Sequence, residues 1–99
     1  MSSRYPKFIA DIEETDPKLF EAVTKTFDVA MAPGELDTKT KMLIAMALDA
    51  MIGSEEGVKT LANVARQMGV SDSQIAETLR IVYFVAGNKV LQTTGAAFD

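Results

Sequence analysis

The sequence predicts an all-α fold of about six helices, and three observations predict it. Apolar residues recur at three- and four-residue spacings along most of the chain. Pro33-Gly34, Gly53, Gly69 and Gly87 punctuate those stretches at short intervals. No alternating apolar–polar run of strand length competes with the helical pattern.

The elements follow in order. A short helix is expected over about Pro6 to Glu14, with Phe8, Ile9 and Ile12 facing inward. Asp16-Pro17 starts the second helix: the aspartate can accept backbone N–H bonds, and proline fits the first helical position. Leu19, Phe20, Val23, Phe27, Ala30 and Met31 give that helix its apolar stripe, and Pro33-Gly34 ends it. Asp37 or Thr38 opens the third helix. Its run from Met42 to Leu48 is apolar all round, so a central, buried helix is expected.

Gly53 closes that helix and Ser54 caps the fourth, whose first turn carries Glu55 and Glu56, favourable at the positive end of a helix dipole. Val58, Leu61, Ala62, Ala65 and Met68 form its stripe, and Gly69 follows its end. Ser71 and Gln74 make a capping box for a fifth helix, through Ile75, Leu79, Val82 and Val85 to Gly87. A last helical segment, Asn88 to Phe98, is expected to be interrupted at Gly95.

The 99 residues suit one domain over residues 1–99. A domain of this size buries roughly 60–65% of its unfolded surface. Burial between subunits would therefore help, and the 47% hydrophobic content favours it. The sequence has no cysteine and no histidine. Thiol redox, imidazole acid–base catalysis and zinc sites built from those ligands are excluded. No cofactor and no metal are expected. The N-terminus lacks a signal-like apolar stretch, and no window approaches the roughly 18 apolar residues of a membrane span. A soluble, cytoplasmic protein is expected, in keeping with the missing cysteines. Fourteen acidic and ten basic residues give a net charge of −4, which opposes binding to nucleic-acid phosphates or anionic membranes.

Leu36-Asp-Thr-Lys-Thr-Lys-Met-Leu-Ile-Ala-Met-Ala47, then Gly53, Ala65-Arg66, Gly69, the Ser71 capping box, Ile75-Ala-Glu77 and Ala86-Gly87 together resemble the carboxymuconolactone decarboxylase superfamily, which includes alkylhydroperoxidase D-like proteins. Asp16-Pro17-Lys-Leu-Phe20 matches the start of that family's preceding helix, so the resemblance runs from Asp16 to Gly87. It implies a helical fold and a homo-oligomer, commonly a trimer or hexamer. In the peroxidase branch a Cys-x-x-Cys pair opens the fourth helix. A helix N-terminus there lowers a thiol's pKa. Those positions here are Ser54 and Gly57. The branch's histidines fall at Leu61 and Glu56, and its relay glutamate at Met42. The decarboxylase branch has a histidine at the position of Leu61 and a glutamate at that of Gly57. Glu56 is one residue off, a rotation of about 100° on a helix. The resemblance thus implies the fold without the peroxidase relay, and the activity stays undetermined.

The remaining candidates each have a plain structural reading. Ser54 lacks a histidine base, and Lys59 is off its face, so an N-cap role is favoured over a nucleophile. Glu55 and Glu56 could act as general acid and base if one were desolvated. Asp49 interrupts the apolar third helix and needs a partner if buried, with Lys89 and Arg80 as candidates. Met42, Met46 and Met51 suit packing or an adaptable pocket. Thr60 to Arg80 also resembles a DNA-binding helix-turn-helix. Its reading helix would carry Ser71, Asp72, Ser73, Gln74 and Glu77, with no cation before Arg80, and Ile81 to Ala86 reads as core. The leading expectation is a small-molecule-binding or scaffold protein with pocket residues Met42, Met46, Glu56, Leu61 and Tyr83 and no catalytic residue. The alternative is a carboxylate-dependent decarboxylase or lactone-handling enzyme.

Overall fold

The computed structural model describes residues 4–99. Two compact units divide the chain, one ending at Glu35 and the other running from Leu36 to Asp99. The structure is helical throughout, and no strand occurs among the described residues.

The first unit holds α1 (Lys7–Ala10), α2 (Ile12–Thr15) and α3 (Pro17–Met31). The single helix expected over Pro6 to Glu14 is interrupted at Asp11, leaving two single turns. Helices this short gain little from cooperative propagation. Ile9 is buried and Ile12 half-buried, but Phe8 is exposed, against the inward orientation expected of it. The α3 start is as expected: the Asp16 carboxylate accepts the Leu19 N–H at 3.0 Å, and Pro17 occupies the first turn. Ala32 is extended because the residue before a proline avoids helical backbone, and α3 stops there. Tyr5 organises this unit. Its ring meets Phe20 and Phe27 edge-on, with centroids 6.0 and 5.4 Å away. Its hydroxyl donates toward the Asp28 carboxylate, which also pairs with Arg4.

The second unit holds α4 (Thr38–Ile52), α5 (Glu55–Gln67), α6 (Asp72–Thr94) and the single 3₁₀ turn η1 (Gly95–Phe98). Asp37 caps α4, accepting the Thr40 N–H at 2.8 Å. Gly69, at φ +94°, ends α5. The Val70 N–H reaches back to the Ala65 carbonyl and the Gly69 N–H to that of Arg66, the paired bonds of a Schellman motif. Val70 is buried against the helix it terminates. Ser71 and Gln74 form the expected reciprocal cap of α6.

Met46, Ala62, Ala65, Val70 and Ile75 make the core of this unit, with Met42, Leu43, Val58, Leu61 and Leu79 packed against it. Among the described residues, nothing in α6 beyond Leu79 belongs to it. The structure corrects the sequence reading at three points. First, α6 does not end at Gly87 but continues to Thr94 over 23 residues, about 34 Å. A single helical glycine weakens a helix by about 1 kcal/mol without ending it. Second, α4 is not wrapped by the helices of its own unit. Met46 is completely buried, but Ile44, Leu48, Met51 and Ile52 are exposed. Third, of the stretch Ile81 to Ala86, read as core, Val82 alone is half-buried and the rest, including Tyr83 and Phe84, is exposed. Apolar pattern reports that a face requires cover, and a single chain of this length does not supply it all.

The α4 cap carries a pH dependence. Hydrogen bonds from Thr40, the backbone N–H foremost, hold the Asp37 carboxyl below its ordinary range, and nearby Lys39 adds to the effect. A depressed folded-state pKa stabilises fully above the unfolded value, about 3.9, and its contribution is lost as pH falls through the lower folded value. Asp37→Ala should therefore melt below the parent at neutral pH. In thermal melts followed by circular dichroism, the two curves should converge in acid below that range. A gap that stays constant with pH would remove the carboxylate from the explanation.

Candidate functional site

The candidate site is the joint between α4 and α5. Gly53 takes φ +83°, a left-handed turn that costs glycine little. This sends the chain straight from α4 into Ser54. The Ser54 N–H donates to the Asp49 carbonyl at 2.8 Å, and the Gly53 N–H to that of Ala50 at 3.3 Å. Ser54 Oγ accepts the Gly57 N–H at 3.2 Å, the N-cap role expected of it. The last turn of α4 is thereby bonded to the first turn of α5.

That joint sets the Asp49 carboxylate directly against Gly57. A β-carbon at position 57 would stand 2.5 Å from Asp49 Cγ, nearer still to Oδ2, and 2.8 Å from Ser54 Oγ. The absence of a side chain at Gly57 therefore gives the carboxylate its place. Neither Lys89 nor Arg80 forms an ion pair with Asp49 among the described residues.

The same joint has an open pocket of about 270 Å³, lined by Ala50, Gly53, Ser54, Glu55, Val58 and Lys59; it shares Ser54 with that contact, and Asp49 is not in its lining. Its wall is mostly apolar, and Ser54, Glu55 and Lys59 are the polar residues among its lining. Such a surface can hold a small, mostly apolar molecule with one or two polar groups. The first unit has its own groove of about 380 Å³, lined by Ile9, Ala22, Val23, Thr26 and Phe27. Its Thr26 hydroxyl donates to the Ala22 carbonyl at 3.1 Å, and the groove carries no ionisable side chain.

Of the five residues the sequence nominates, Met42, Met46 and Leu61 come together in the core of the second unit. Glu56 is exposed in the first turn of α5, and Tyr83 is exposed on α6. The sequence reading raised Asp49 but did not connect it to Gly57. The available signal was an aspartate one turn before a Gly-Ser helix junction, with a second glycine in the next helix's first turn.

The carboxymuconolactone decarboxylase family matches this chain over residues 17–99. Two uncharacterized proteins of Methanocaldococcus jannaschii are similar to it. One is 28% identical over 76 residues, covering 77% of this chain and 71% of the relative. The other is 29% identical over 77 residues, covering 77% and 74%. No solved structure matches.

The contact between Asp49 and Gly57 can be measured as a coupling. Gly57→Ala alone should gain none of the roughly 1 kcal/mol that alanine offers over glycine in a helix, because the methyl must displace the carboxylate. In an Asp49→Ala background the same change should be more favourable than in the parent, with only Ser54 Oγ left to shift, a coupling of order 1 kcal/mol in urea melts. Additive effects would mean that the two residues do not meet.

Proposed function

The chain belongs to the carboxymuconolactone decarboxylase family, and from that premise we propose a member without peroxidase activity that works as a homo-oligomeric small-molecule-binding protein. The observation that carries the reading is the Asp49 carboxylate lying against Gly57 at the start of α5. By resemblance, the peroxidase branch has its second redox cysteine at the position of Gly57. Here the adjoining space holds an oxygen acid, and position 54 holds a capping hydroxyl. Neither group cycles between thiol and disulfide.

The assembly half of the proposal rests on exposed apolar surface. Ile44, Leu48, Met51 and Ile52 on α4, and Ile81, Tyr83, Phe84, Val85, Val90 and Leu91 on α6, are all exposed in the chain taken alone. Monomers rarely show contiguous apolar patches larger than a few hundred Å². No helix among the described residues is long and apolar enough to cross a membrane. A trimer or hexamer, as the family resemblance implies, would cover these side chains. A cytoplasmic setting fits a cysteine-free chain.

A second reading draws on the same contact. By resemblance, the decarboxylase branch carries a glutamate at the position of Gly57, and Asp49 brings a carboxylate beside that place from the preceding helix. In that reading Asp49 would transfer a proton to or from a bound acid or lactone. Asp49→Asn should then abolish turnover while leaving the fold and the assembly intact.

Native mass spectrometry, gentle and then denaturing, tests the main proposal. A trimer or hexamer that releases a small molecule on denaturation is the expected result, and a bare monomer would overturn it. With cumene hydroperoxide and a dithiol reductant, consumption should match the buffer rate. Saturable consumption above that rate would contradict the loss of peroxidase activity.

A further inference from the structure

Gly87 is the least explained residue of α6. Nothing lies within 4 Å of the place its β-carbon would occupy, so the chain's own packing does not require glycine there. Its backbone is not left-handed. In a helix interior, glycine in place of alanine costs roughly 1 kcal/mol. Packing within its own unit gives no reason for a glycine there.

The neighbours of Gly87 supply one. On a helix surface the residues three and four positions away surround a given residue. For Gly87 these are Tyr83, Phe84, Val90 and Leu91, exposed by 81%, 66%, 62% and 68%. A bare backbone position is thus ringed by four large, uncovered apolar side chains, which is the form of a socket. From Ile81 to Thr94 the helix carries a single charged residue, Lys89. Loss of charge and enrichment in aromatics mark the centre of a protein interface.

We infer that this face of α6 packs against the same face of a second copy of the chain, with the two Gly87 backbones at the crossing point. The inference rests on the hexamer among the assemblies proposed above, since a cyclic trimer has no two-fold axis, and it assigns one of the hexamer's contacts. In a two-fold contact each patch meets itself. Tyr83 and Phe84 of one subunit then interleave with Val90 and Leu91 of the other, and the glycines let the helices approach closely. Area agrees with this occupant. With aromatic side chains of about 150–250 Å² each, and Val90 and Leu91 beside them, the face offers on the order of 500 Å² per subunit. Doubled by symmetry, this reaches the roughly 1,000 Å² that a specific interface needs. The contacts of α4 would add to it.

The cysteine-free sequence makes the test direct. A disulfide needs Cα atoms about 4.4–6.8 Å apart, a distance that a glycine-to-glycine crossing provides and few other surface positions do. Gly87→Cys, purified as the oligomer and oxidised, should give a covalent dimer on a non-reducing gel. Asn63→Cys, on the exposed face of α5, should not. Gly87→Leu should keep its helical circular dichroism yet dissociate at least tenfold more readily in sedimentation experiments. If the parent chain is an oligomer but Gly87→Cys does not cross-link and Gly87→Leu leaves the assembly unchanged, this contact is wrong and the oligomer stands. If the parent chain is a monomer, the oligomer itself is wrong and the contact falls with it.

Discussion

The bond from the Ser54 N–H to the Asp49 carbonyl, 2.8 Å long, is the constraint on which the candidate site depends. It forms only because Gly53 can turn left-handed, and it leaves no loop between α4 and α5. A longer connection would let the two helix ends slide. This one fixes which α4 side chain faces the first turn of α5, and that side chain is Asp49. Gly57 completes the arrangement by leaving a space. The backbone therefore does most of the positioning, and the carboxylate is placed without an ion-pair partner among the described residues.

The second constraint is how little one chain can cover. Among the described residues Met46 is the one large side chain wholly removed from water, and the other buried apolar residues of its unit are Ala62, Ala65, Val70 and Ile75. At about 25 cal/mol per Å² of apolar surface buried, that core is modest beside the conformational entropy of ordering such a chain. The helix ends add to it through the Ser71 capping box, the Val70–Ala65 closure and the Asp37 and Asp16 caps. These are local contributions, each satisfying backbone groups that a bare helix end leaves unpaired. The exposed apolar faces of α4 and α6 are the largest reserve of stabilisation still unused in the isolated chain.

Much of this was legible in the sequence because caps and stops are local. Asp16-Pro17, Pro33-Gly34, Ser54, Gly69 and the Ser71–Gln74 box all mark helix ends where they were expected. The family was legible too, from spaced fragments that are individually weak. Burial was less so. Phe8, Tyr83 and Phe84 read as interior by composition but lie open. An apolar side chain says that it needs cover, not which chain supplies it. Gly87 misled for a related reason, since one glycine reads as a stop and a 23-residue helix absorbs it. The meeting of Asp49 with Gly57 spans two helices and depends on the geometry of the turn between them, which linear spacing does not encode.

The two constraints act on different residues, and this explains how a fold can outlast its chemistry. Ser54 caps α5 as well as any first-turn residue could, and Gly57 needs only to be small. Neither place asks for a thiol to keep the helices in register. The pattern at Met46, Ala62, Ala65 and Ile75 is different, because each of these side chains is packed in the core of the second unit. Replacing a relay residue removes an activity, whereas replacing a core residue removes the fold. A lineage that no longer used the thiol chemistry would therefore keep the core and the helix ends while positions 54 and 57 drifted. Asp49 belongs to neither group. It adds nothing visible to the core, and it occupies space that an ordinary residue at 57 would fill. A carboxylate kept in that position at the expense of a side chain at 57 is the feature that folding alone explains least.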